Sequence, residues 1–395
     1  MAINRLFSPF QHAHRDIILE IISVIIQSTL MYDAFQTVWA CAEVCTSWRN
    51  ILLHHTSFWS LIIYLDPEDP RSSQVMKRAG TLDLTVECHF VSEVKNEALI
   101  RRLLSNWERV KILDLIVPAP HVASDILDRL LLCAAPALRT IRVVYDDGTC
   151  PDEDVIHRLG VTFPHNVPQL AHFSLPLGLV VSDLQHLCHL NSLECCPDYD
   201  FFLADLLPSC FPNLQHLCLR QRVGLRPSGS EIPSGQQHPI VLPRLRSLVV
   251  SCVADDWPAC MQFLQRLQCK GVYFRLECTN TSSQISGDGI AALLNLQHLI
   301  RGCFQRLPMD CAQAFESGPT LLKFTESHME IRCSGFFEFS IKHDQDTQDW
   351  RPWMVAMVRL LHPMASYWAQ HLRLLFGAMS LLSEDLESLG PQSLK

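Results

Sequence analysis

Cys41 and Cys45 stand four residues apart, one helical turn, and Cys210 and His216 lie six apart. Such spacings could set two metal ligands side by side. Neither comes with a tight second pair, and structural zinc takes four clustered ligands. Cys195-Cys196 could supply a reactive thiol pair, but adjacent cysteines among leucines read as core fill. Ser286-Gly-Asp-Gly, just before Ile290, could offer backbone N–H groups to an anion. It has no lysine beside it and reads as a plain helix cap. No Gly-x-x-x-x-Gly-Lys loop, Gly-x-Ser-x-Gly elbow or His-Glu-x-x-His pair occurs. The expectation is therefore a chain that is not an enzyme: no catalytic residue, no metal site and no cofactor.

Composition points the same way. Of 395 residues, 48% are apolar and 18% charged, which is a globular balance with ample material for a core. A formal charge of −9 leaves no excess of cations to displace counterions from phosphates, so no nucleic-acid partner is expected. The 17 cysteines are odd in number and include no Cys-x-x-Cys, as suits a reducing compartment, cytoplasm or nucleus. No secretory h-region lies in the first sixteen residues. The apolar run Ile17 to Ile26 contains Glu20 and Ser23 and is too short to span a bilayer, so no membrane partner is expected.

What remains is docking. Asp16, Glu20, Ser23 and Gln27 recur at spacings of four, three and four, one narrow polar stripe on an otherwise apolar helix. A helix this apolar needs cover on more than one side, so part of its surface is expected to wait for a partner. A second helical pattern runs from about Phe35 to Leu53, with Cys41, Val44, Cys45, Trp48 and Leu52 on one face. Trp59 and Leu61 follow, and the stretch from Asp66 to Ser73 reads as a linker.

Asp16 to Ile22 (DIILEII), Val44 to Ile51 (VCTSWRNI) and Phe58 to Ile62 (FWSLI) together resemble the F-box, and more closely the F-box-like proteins abundant in mushroom-forming fungi. The resemblance is carried by about the first sixty residues. It implies a three-helix module, residues 13–65, that binds the Skp-type adaptor of a cullin-RING ubiquitin ligase. It places Ile17, Ile18, Ile21 and Ile22 at the adaptor-binding positions of the first helix, and Val44, Cys45, Trp48 and Ile51 at those of the later one. Where the family carries Leu-Pro before the first acidic residue, this chain has Ala13-His14-Arg15. That departure leaves open an alternative, a non-ligase interaction scaffold with a degenerate F-box-like cap. Trp48 and Trp59 are also open to a plainer reading, as core aromatics of a helical cap.

Downstream, one phrase recurs. Val110, Leu138, Leu170, Leu190, Leu214 and Leu245 each open an L-x-x-L-x-L segment, at intervals of 28, 32, 20, 24 and 31 residues. Pro136, Pro168, Pro212 and Pro243 precede four of them. Alternation in the phrase is that of a strand. Helical patterns lie between, one capped by Ser124 or Asp125 and carrying Ile126, Leu127, Leu130 and Leu131, others at Tyr199 to Leu207 and after Pro258. The fold class expected is α/β: the three-helix module, then an irregular leucine-rich-repeat-like solenoid with a mixed helical C-terminal cap. Residues 66–105 would connect module and body, and 106–320 would form the solenoid. Residues 224–239 would be an exposed loop, 321–382 a cap of strands and two helices, and 383–395 a tail. One helix of that cap would carry Trp353, Met357 and Leu361, the other Trp368, Leu372, Leu375, Phe376 and Met379. The function expected is that of a substrate-recognition adaptor, holding the Skp-type adaptor, and through it a cullin, at one end and a target protein at the other.

Overall fold

The computed structural model describes residues 15–66, 69–90, 93–145, 167–178, 187–196, 211–220, 240–253, 260, 263–264, 266–268, 272–280, 320–325, 328–333, 337–343 and 372–376. The segments expected at Tyr199 to Leu207, at 224–239, at Ser286, around Trp353 and at 383–395 lie outside the described residues. So does most of the segment after Pro258.

Four helices open the chain: α1 (Arg15–Ser28), α2 (Met31–Val44), α3 (Thr46–Leu53) and α4 (Thr56–Leu61). Helix α1 holds no Gly or Pro, and Asp16 in its first turn suits the helix dipole. It ends where the Thr29 hydroxyl donates to the Ile25 carbonyl at 2.7 Å. The single helix expected over Phe35 to Leu53 is two, because the chain breaks at Cys45 into extended backbone (φ −157°, ψ 168°). Thr46 and Ser47 favour a helix start over a helix interior, since their side chains compete for backbone partners.

The strand β1 (Ile63–Leu65) follows at once and is buried at all three residues. Next come α5 (Ser72–Arg78), β2 (Leu84–His89), α6 (Glu93–Leu104), β3 (Val110–Val117), α7 (Pro120–Leu131) and β4 (Thr140–Tyr145). The linker read from Asp66 to Ser73 is shorter than expected, because Ser72 and Ser73 already belong to α5. Gly80 (φ +61°) ends that helix in the left-handed region, where a Cβ is costly. Helix α7 starts at Pro120, ahead of Ser124 and Asp125, with Ala119 as its N-cap; Ile126, Leu127, Leu130 and Leu131 are buried as a face.

Later strands are β5 (His172–Gly178), β6 (Ser192–Cys196), β7 (His216–Arg220), β8 (Ile240–Val241), β9 (Ser247–Val253), β10 (Leu267–Gln268) and β11 (Tyr273–Asn280). Then come β12 (Thr320–Thr325), β13 (His328–Cys333), β14 (Phe337–His343) and β15 (Leu372–Phe376). The chain divides into two compact units, one holding α1 to β4 and most of β5, the other the strands from β6 on. In the first, β1 to β5 pair in chain order, all parallel. In the second, β6, β7, β9 and β11 do the same, and β14 joins β11 in parallel. Strands β14, β13 and β12 then alternate direction, and β15 pairs parallel with β12.

Each recurring phrase forms one parallel strand. Its first apolar residue closes a turn: the amides of Leu138, Leu170, Leu214 and Leu245 donate to the carbonyls three residues earlier, at 3.1–3.3 Å. Pro136, Pro168, Pro212 and Pro243 occupy the second position of those turns, where a φ near −65° is needed and no N–H is used. The other two apolar residues point into the core in register. Leu113, Ile141 and Phe173 align in the first unit; Leu193, Leu217, Leu248 and Phe274 align in the second. All are buried, and each such side chain contributes roughly 1.5–3 kcal/mol on leaving water.

The expected fold class is corrected by this arrangement. The chain is α/β, but among the described residues no three-helix module followed by a leucine-rich-repeat-like solenoid is shown. Among the described residues four helices, not three, precede β1, and they do not stand apart. Helices α2 and α5 pack on β1, and α4 packs on β2 and α5, inside the same compact unit as the first strands. Regular strand–helix alternation is described only from β1 to β4, and the antiparallel strands β12 to β14 break the repeat. The C-terminal helix expected over Leu372, Leu375 and Phe376 is the strand β15, which pairs along β12. A five-residue apolar run fits either period, and an adjacent strand edge decides for a strand.

Candidate docking surface

The helical region is fastened to the sheet by an aromatic cluster with two arginines set into it. The Arg78 guanidinium lies 4.8 Å from the Trp39 ring centroid and 4.9 Å from that of Trp59. Arg71 lies 5.1 Å from Phe35 and 5.6 Å from Trp39. Tyr32 meets Tyr64 of β1 edge-on at 4.9 Å, and Trp39 meets Trp59 in the same manner at 6.0 Å. Burial draws the Arg78 pKa below the ordinary arginine value, yet a guanidinium remains charged at any working pH. Asp69 grips Arg71 with both carboxylate oxygens, and those hydrogen bonds hold its carboxyl below the usual range. None of these aromatic–arginine contacts was anticipated from sequence. The legible signal was a pair of pairs: Phe35 and Trp39 four apart on α2, and Arg71 and Arg78 seven apart, at the N-cap and the last residue of α5.

At the break between α2 and α3, the Cys45 thiol caps α3 by accepting from the Trp48 N–H at 3.5 Å. Arg49 reaches back, donating through Nε to the Ala42 carbonyl at 3.0 Å and closing the end of α2. The short strip VCTSWRNI thus builds a helix-to-helix corner, which explains its mixture of small polar residues with Trp48.

The eight residues assigned to docking divide by exposure. Ile18, Ile22 and Trp48 are core residues. Cys45 and Ile51 are half-buried, Cys45 being occupied as a cap. Ile17 is 55% exposed, Ile21 38% and Val44 63%. Val24, unassigned from sequence, is 54% exposed and continues the row. Ile17, Ile21 and Val24, four and three apart, make one apolar stripe along α1, bordered by the exposed Asp16 and Glu20. The stripe is separated from Ile18 and Ile22 by one position, so α1 is apolar on two faces. One faces the core and the other faces water.

The other expected chemistries can be placed in part. Cys41 is half-buried, and burial pushes its thiol pKa up, away from the reactive thiolate. Cys195 is buried, and Cys218 is raised by burial above all. Among the described residues no group of three or more His, Cys, Asp or Glu side chains is placed to hold a metal ion. No described helix is long and apolar enough to cross a membrane.

By fold, then, the described residues form an α/β protein of mainly parallel strands, with an apolar stripe of helix α1 in solvent. No protein-family model matches it, and no curated protein matches it significantly.

Proposed function

We propose that this chain is a substrate-recognition adaptor of an SCF-type cullin-RING ubiquitin ligase, with no catalytic residue of its own. Helix α1 would dock the Skp-type adaptor, and the parallel-strand body would hold a target protein within reach of the ubiquitin-loaded enzyme. The contribution is proximity: tethering raises the target's effective concentration at the reactive centre. On this reading the protein works in the cytoplasm or nucleus. The observation that carries the reading is the stripe of Ile17, Ile21 and Val24, open to solvent at the segment that resembles an F-box. Val44 and the corner at Cys45 add support, since they form the second matching segment.

Co-purification of the full chain with a Skp-type adaptor tests this. Wild type is expected to retain the adaptor, and an Ile17→Asp, Ile21→Asp variant with an unchanged circular dichroism spectrum is expected to lose it. Equal retention by both, or none by wild type, would overturn the proposal. The second reading, an interaction scaffold outside any ligase, is favoured by Ala13-His14-Arg15 in place of Leu-Pro. Under it the stripe binds a different protein and the adaptor is never retained.

A further inference from the structure

One row on a single sheet face crosses four strands of the first unit and carries polar side chains at every position. Tyr64 on β1 aligns with Glu87 on β2, Glu87 with Asp114 on β3, and Asp114 with Arg142 on β4. Neighbouring strands lie about 4.8 Å apart, so the two carboxyl groups stand side by side on one face. Both are half-buried. Arg142 donates through Nη1 to Asp114 Oδ2 at 3.4 Å, but the Arg142 side chain is itself largely exposed. Asp114 Oδ1 is buried with no hydrogen-bond partner.

Helix α2 approaches the same row from above β1. Tyr32 rests against Tyr64, and Asp33, the next residue, brings a third negative charge within electrostatic reach of Glu87. The groups facing Glu87 are thus Asp33 from α2, Tyr64 from β1, His89 from its own strand, Asp114 from β3 and Arg142 from β4. The Tyr64 hydroxyl and His89 Nδ1 are 3.4 Å apart. Three carboxylates therefore converge here, with Arg142 the arginine that opposes them among the described residues.

We propose that Glu87 and Asp114 share one proton, and that losing it loosens the seat of α2 on β1. The row is then a pH-sensitive latch between the helical region and the sheet. Two carboxylates this close in a half-buried site do not both ionise freely. Burial raises both groups, and Asp114 raises Glu87 further while Arg142 opposes the rise at Asp114. A carboxyl whose folded pKa is raised contributes stability that is full at low pH and is lost as pH climbs through the folded value. The latch is closed on the acid side and opens on the alkaline side. Nothing in this depends on what α1 binds.

Backbone amide hydrogen exchange on the full chain, corrected for intrinsic rates, reads the latch directly. As pH climbs above the ordinary carboxyl range and through the raised values of the pair, protection of α2 amides is expected to fall by up to tenfold per pH unit, the limit for one proton. Amides of α7, in the same unit, should hold steady. Glu87→Gln should abolish the slope in α2 and keep its amides protected at high pH. Asp33→Asn, at an exposed position, should leave the fold intact and shift the fall to lower pH, since the Asp33 charge is one of those that raise Glu87. A flat α2 profile in wild type overturns the proposal, as does an unchanged slope in Glu87→Gln. Should Glu87→Gln fail to fold, carboxyl-carbon NMR titration of wild type decides. Coupled steps for Glu87 and Asp114 sustain the shared proton, and two independent titrations at ordinary carboxyl values overturn it.

Discussion

The indole N–H of Trp59 donates to the carbonyl oxygen of Leu52 at 2.7 Å. Trp59 is wholly buried, so this bond ties the last turn of α3 to α4 inside the core rather than at its rim. The same indole forms one wall of the slot that receives Arg78. A residue the resemblance places in a docking motif is, physically, the centre post of the helical region. Trp59→Phe keeps most of the apolar area but removes the indole bond to the Leu52 carbonyl, which still accepts from the His55 backbone N–H at 3.1 Å. The expected loss is about 0.5–1.5 kcal/mol, read as a shift of the urea midpoint with unchanged slope.

Ile17 and Ile18 are chain neighbours with opposite fates, one exposed and one buried. Ile18→Ala and Ile22→Ala are each expected to cost about 2–5 kcal/mol as core truncations. Ile17→Ser and Val24→Ser are expected to stay within about 0.5 kcal/mol of wild type. Thermal or urea unfolding of the four single variants measures the contrast directly.

The Cys45 thiol is a weak acceptor at a position that favours Ser, Thr, Asp or Asn. Cys45→Ser should strengthen the cap of α3 and raise stability by a few tenths to about 1 kcal/mol. Cys45→Ala should do no better than wild type. Denaturant midpoints of the two variants, compared side by side, check the cap.

Asp69 is held below the usual carboxylate range chiefly by its side-chain hydrogen bonds to Arg71. A depressed folded pKa contributes stability that is present above the unfolded value, about 4, and is lost as pH falls through the folded value. Wild type should therefore lose stability on the acid side faster than Asp69→Asn. Urea midpoints taken from neutral pH down to about pH 2 should show the two curves converging at the acid end.

Much of the body was legible because it obeys short rules. Ile141 sits between Thr140 and Arg142, Phe173 between His172 and Ser174, and Pro136 or Pro168 just upstream announces the turn before the strand. The stripe on α1 was partly legible: four isoleucines signalled too much apolar surface for one face. Which of them would be buried depended on where α2 and α4 pack, so Ile18 and Ile22 could not be separated from Ile17 and Ile21 by type or period. Val24 was missed because it belongs to the same run and carries no motif.

Sequence alone determined the parallel strands, the apolar excess of α1 and the lack of familiar catalytic motifs, since these follow from residue type and local spacing. Tertiary structure decided the rest. It broke one helical pattern into two at Cys45, where backbone and thiol find a cap. It seated the opening helices on β1 instead of leaving them as a separate module, because Arg71 and Arg78 reach back to aromatics some forty positions earlier. It turned Leu372–Phe376 into a strand because β12 offered an open edge. It also brought Glu87 and Asp114 together, 27 residues apart in the chain and adjacent only through strand register. Contacts of that range have no local signature, and only packing creates them.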